Sequence, residues 1–83
     1  MAMSANVGGL ENIYIAVLGD GRSILEHDLH AMATALHLAG VPASWVKHDW
    51  HAGQRMLTAG QQVTLYAEIH SLERKYQDMA RAA

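Results

Sequence analysis

Apolar side chains recur with a helical period along the last third of the chain. Within residues 54–80, Leu65, Ile69, Leu72, Tyr76 and Met79 follow at steps of four, three, four and three. That is the stripe of an amphipathic helix, and no Pro interrupts it. At about 1.5 Å per residue such a helix is roughly 40 Å long, so the rest of the chain is expected to pack along it. Its halves differ. Residues 56–67 contain no Asp, Glu, Lys or Arg, whereas Glu68, Glu73, Arg74, Lys75 and Asp78 follow. The second half reads as a surface helix with a solvated face, the first as covered on most sides. Gly53, Gly60 and Ala67 are spaced by seven and fall near one line of the helix. Gly costs about 1 kcal/mol in a helix interior relative to Ala. Close approach of another backbone would explain the two glycines; so would a break near Gly53 and a tolerated Gly60.

Upstream, the pattern shifts to alternation. Residues 12–18, NIYIAVL, place Ile13, Ile15 and Val17 on one side and Tyr14, Ala16 and Leu18 on the other. Both sides are apolar, which predicts a strand buried on both faces or pressed into an interface. Gly19-Asp20-Gly21 ends it in a turn. Ser23 and Glu26 have capping-box spacing and predict a helix over 24–39. Gly40 is its expected stop, with Pro42 beyond. Leu25, Leu29, Met32 and Leu36 form the inner stripe, widened by Ile24, Ala31, Ala35 and Leu38. His27, His30, Thr34 and His37 line the other side. Residues 41–53 read as a short helix or the first turns of the long one. A second strand, with Trp45, Lys47 and Asp49 alternating against Val46, His48 and Trp50, is the other possibility.

These elements predict a mostly α fold, one N-terminal strand followed by two main helices in the order β-α-α. Residues 1–10 read as a flexible lead-in and 11–83 as a single small α-rich domain. A lone buried strand leaves its backbone groups unpaired, at considerable cost. The expected remedy is a homodimer in which Ile13, Tyr14, Ile15 and Val17 belong to a strand paired with its two-fold copy.

Size sharpens that expectation. A domain of 83 residues has a marginal core alone, and small scaffolds add disulfides, a metal or self-association. There is no Cys, which removes disulfides and thiolate metal sites and fits a cytoplasmic protein. The net charge of −2 is not the balance of a nucleic-acid binder. The longest apolar run, 13–18, is too short to cross a membrane, and MAMSANVGG has neither the basic region nor the apolar core of a secretory signal.

Candidate chemistry is sparse. The junction Gly19-Asp20-Gly21 lacks the third Gly of a dinucleotide fingerprint and the Gly-Lys-Ser/Thr ending of a P-loop. His48, Asp49 and His51 are the best metal candidates, with Glu26, His27 and His30 the other grouping. Neither supplies the four ligands of a structural zinc site, so no metal or cofactor is expected. No nucleophile or carboxylate pair stands in a recognisable motif, and the chain reads as non-catalytic.

Charge depletion is the more informative signal. Residues 29–46 and 56–67 carry no Asp, Glu, Lys or Arg. Interface cores lack charge and are rich in Met, Trp and Tyr, which makes Met32, Leu36, Trp45, Trp50 and Met56 the candidate partner-binding residues. The expected function is a protein-interaction module that inhibits a partner by occupying its surface. A ribbon-helix-helix DNA-binding dimer is an alternative with the same element order, but neither strand face offers groups to read bases. A His-rich metal-binding protein is another. The short acidic chain, the NIYIAVL strand and the two charge-poor helices together resemble the small antiactivators that pseudomonads use against LuxR-type quorum-sensing regulators. The resemblance implies a dimer that binds a transcription regulator, blocks its dimerisation and so prevents DNA binding.

Overall fold

Alternation governs more of the chain than the sequence reading allowed. A computed structural model describes residues 2–82, with side chains through Met79. Ala5–Leu10 (β1) and Ile13–Leu18 (β2) form an antiparallel hairpin, Leu10 opposite Ile13 at its tip and Ala5 opposite Leu18 at its open end. Ser23–Glu26 (β3) continues the meander, Val17 opposite Ser23 and Tyr14 opposite Glu26. Leu29–Leu38 (α1) follows, then a 3-10 turn at Ala43–Trp45. The two residues Val46–Lys47 (β4) lie parallel to β1, with Lys47 opposite Asn6. Ala59–Ala82 (α2) closes the fold. Among the described residues the strands make one mixed sheet of order β3-β2-β1-β4.

The fold is therefore α/β, which overturns the expected mostly α, β-α-α layout. Residues 5–10, expected as a flexible lead-in, form a central strand. Their two glycines suggested a loop, but here they make room. A Cβ on Gly8 would lie 2.5 Å from Gln54 Oε1, and one on Gly9 2.6 Å from Arg55 Cζ. Residues 23–26 are a strand and not a first helical turn. Leu18 N donates to Arg22 O (2.8 Å), which closes a tight turn and lays Ser23 beside Val17. The cap of α1 is instead Asp28, whose Oδ1 accepts from Ala31 N at 2.7 Å. Gly40 does stop that helix region, at φ 84°. Residues 41–53 hold both expected possibilities, one helical turn and then a short strand.

Strand β2 is bonded on both sides within its own chain. The expected pairing of Ile13, Tyr14, Ile15 and Val17 with a two-fold copy is thus replaced by pairing with β1 and β3. The two-stranded ribbon of the DNA-binding alternative is likewise an interior part of a sheet.

One face of the sheet meets the helices. Ala5, Val7, Ala16 and Leu18 alternate inward and join Met32, Ala33 and Leu36 of α1 and Leu65 and Ile69 of α2 in a single core. Val41, Ala43 and Leu57 close its margins. Glu73, which sequence placed on a solvated face, reaches from α2 to accept from Ala43 N at 2.7 Å. Among the described residues no polar or charged side chain is buried.

The other face is open. Leu10, Ile13, Ile15, Val17 and Leu25 occupy the alternate positions of β1, β2 and β3. None of them belongs to the core or to the partly buried side chains packed on it.

A candidate interaction surface

Residues 45–56 are laid along the free edge of β1 by a run of specific bonds. β4 pairs with Ala5 and Asn6. The amide of Asn6 then acts as a strand backbone would, accepting from Asp49 N (2.8 Å) and donating to Asp49 O (3.2 Å). His48 Nδ1 donates to Val7 O at 3.2 Å. Arg55 and Gly9 exchange both backbone bonds, at 2.8 and 2.9 Å. The Arg55 guanidinium bends back, donating to Glu11 O (3.2 Å) and lying 5.8 Å from the centre of the Tyr14 ring. These bonds explain why α2 begins at Ala59 and not near Gln54: residue 55 is used in sheet pairing.

The start of α2 is a capping box. Thr58 Oγ1 accepts from Gln61 N (3.1 Å) and Gln61 Oε1 accepts from Thr58 N (2.9 Å), so each satisfies an end group of the helix. Gln61 also donates to the Tyr14 hydroxyl at 3.3 Å. Fixed this way, the segment leading into α2 buries Leu57 and the first half of the helix buries Leu65. Val63 is 68% exposed and Tyr66 52%, and Ala59, Gly60, Thr64 and Ala67 are exposed as well. The expectation that this charge-free half is covered on most sides is corrected: it is covered on one.

Between this helix and the edge segment runs a shallow groove lined by Ala43, Val46, His48, Gln62, Val63 and Tyr66. Trp45 is half exposed at the end of the 3-10 turn, beside Val46. Tyr66 stacks on His70, ring centres 5.9 Å apart. The groove offers apolar and aromatic surface with amide and imidazole groups and no carboxylate. It can bind an apolar surface by contact and desolvation.

The candidate partner-binding residues divide in two. Trp45, Trp50 and Met56 are exposed, Trp50 by 71%, and all lie on the edge segment. Met32 and Leu36 are 0% exposed and face α2 and the sheet. Assigning them to a partner surface is corrected: their charge-free helix supplies this chain's own core. The sequence points to Tyr66 through the interface-like composition of the charge-free stretch 56–67 without placing it among the partner-binding candidates, and it gives no sign of Val63 beyond its place in that stretch.

The His groups are dispersed in hydrogen bonds. His48 is on Val7 O, His51 Nδ1 donates to Ala52 O (3.1 Å), and the backbone of Asp49 is held by Asn6. His30 Nδ1 is 2.8 Å from Glu68 Oε2, and His37 lies edge-on to Tyr76 at 6.1 Å. Among the described residues no group of three or more His, Cys, Asp or Glu side chains could hold a metal ion. No helix among them is long and apolar enough to cross a membrane. No protein-family model, curated protein or solved structure matches this chain.

Proposed function

We propose that the chain is a non-enzymatic interaction module that acts by occupying an apolar surface of a partner protein. The observation that carries this reading is the first half of α2, which has no charged residue and yet is exposed. An exposed helix normally carries charge, and charge depletion with exposed aromatics marks the core of an interface. Trp45, Val63 and Tyr66 are the proposed anchors, and the groove between them is the proposed seat for a partner side chain. The likeness to LuxR-type antiactivators rested on one strand followed by two helices. The sheet found here departs from that layout, and the proposal keeps only the engagement of a protein partner. A cytoplasmic setting is part of the proposal, supported by the absence of Cys.

The test is affinity capture from the native host with the full chain and three variants. Truncating a true anchor typically costs about 2 kcal/mol or more of binding. Trp45→Ala, Tyr66→Ala and Val63→Glu are expected to keep the melting temperature and circular dichroism of the parent while binding the captured partner at least about tenfold more weakly. Leu36→Ala is the contrasting control, expected to lose about 2–5 kcal/mol of folding stability. Equal binding by all three surface variants would refute the assignment.

A further inference from the structure

The open face of the sheet is a second surface, on the other side of the sheet from the helices. Its positions on β1, β2 and β3 are Asn6, Leu10, Ile13, Ile15, Val17, Ser23 and Leu25, while Gly8 between them is buried beneath the Gln54 side chain. None of these is charged. Two strands of six residues and one of four give a patch of at most roughly 20 by 14 Å. A contiguous apolar patch of that kind on a small protein marks an interaction site.

We propose that a second copy of this chain occupies that face, the two sheets stacked with their strands antiparallel. Two features favour a copy over an unrelated protein. The first is charge placement. Glu11 stands at the hairpin tip, and Lys47, beside Asn6, lies toward the opposite end of β1 on the open-face register. Both are exposed, and neither is in an ion pair among the described residues. A two-fold axis running across the strands turns one copy end for end over the other. It brings Glu11 of each copy to the end that carries the other copy's Lys47, with a sideways offset of about one and a half strand spacings, roughly 7 Å. Two long side chains span that offset, and the symmetry makes the pair twice. The second feature is area. A stacked face of this size covers at most roughly 560 Å² in total, below the standard size of specific interfaces and within the range of weak, transient contacts. That suits a reversible pair with a dissociation constant in the micromolar range, and sheets stacked face to face are a standard packing at about 10 Å separation. This pairing leaves the proposed partner groove free, so each surface can be lost without the other.

Sedimentation equilibrium of the full chain from about 10 to 500 μM tests the proposal. The parent is expected to show a monomer–dimer equilibrium within that range. Leu25 is 55% exposed, so Leu25→Glu should fold normally and raise the dissociation constant at least about tenfold. Leu25→Ser replaces it if circular dichroism shows misfolding. Glu11→Lys and Lys47→Glu should each weaken the dimer about two- to fivefold, and the double charge swap should restore it. A monomer throughout would overturn the proposal and leave the face to another protein. A dimer indifferent to Leu25 substitution, or a charge swap that fails to restore pairing, would overturn it as well.

Discussion

Glu11 holds a backbone φ of 48° at the hairpin tip, a conformation that costs a side-chain-bearing residue about 1–2 kcal/mol. Glycine removes the steric cost but loses more entropy on folding, about 0.5–1 kcal/mol. Glu11→Gly is therefore expected to stabilise the fold by about 0.5–1 kcal/mol, read as a raised melting temperature in dilute solution. Asp20 offers a pH test. The backbone N–H of Arg22 donates to its carboxylate (3.0 Å) and the Arg22 side chain adds a second bond at 2.6 Å. These hold its carboxyl below the ordinary value of 3.8, against a smaller opposing effect of desolvation. A lowered folded-state value means that the unfolded chain binds the proton more readily. The contribution is present above 3.8 and fades as pH falls below it. Asp20→Asn should thus be less stable than the parent at neutral pH, with the gap closing in acid denaturation curves as pH falls below 3.8.

At the level of elements, each helix depends on one cap. Thr58→Ala and Asp28→Ala are each expected to cost about 1 kcal/mol in denaturant unfolding. The two caps also show where the sequence was legible. Ser23-x-x-Glu26 and Thr58-x-x-Gln61 fit the same pattern, and only the second is used. Ser23 is claimed by Val17 across the β2–β3 turn, a tertiary fact that no local pattern encodes. The strand at 13–18 was legible because six consecutive apolar residues outweigh any helical reading, and the stop at Gly40 because little else follows a helix so well. Strand β1 was not, because Gly8 and Gly9 signal a loop until Gln54 and Arg55, more than forty residues later, are seen to fill the space. The site was half legible for a related reason. Charge depletion marks surface removed from water, and Leu36 in the core and Trp45 on the edge satisfy it equally. Only the folded arrangement separates them.

Across the whole molecule, α2 is the longest feature. Its 24 residues span about 36 Å, against about 15 Å for the 10 of α1, in a body 45 Å in its longest extent. The apolar stripe begins at Leu65 and Ile69 inside the core and ends at Tyr76 and Met79 in solvent. Amides near Met79 are expected to exchange with solvent hydrogen much faster than those near Leu65, a gradient that exchange mass spectrometry would read along the helix. The same helix sets the order of events when the chain is made. Synthesis runs from β1 toward α2, so the meander and α1 emerge before the segment carrying Leu65 and Ile69 exists. Until it arrives, Met32, Leu36 and the inner side of the sheet have only each other for cover, and the nascent chain exposes the surface that α2 will later bury. A premature stop anywhere ahead of Ile69 should therefore give no smaller folded version of the protein. It should give a sticky polypeptide that chaperones and proteases must remove.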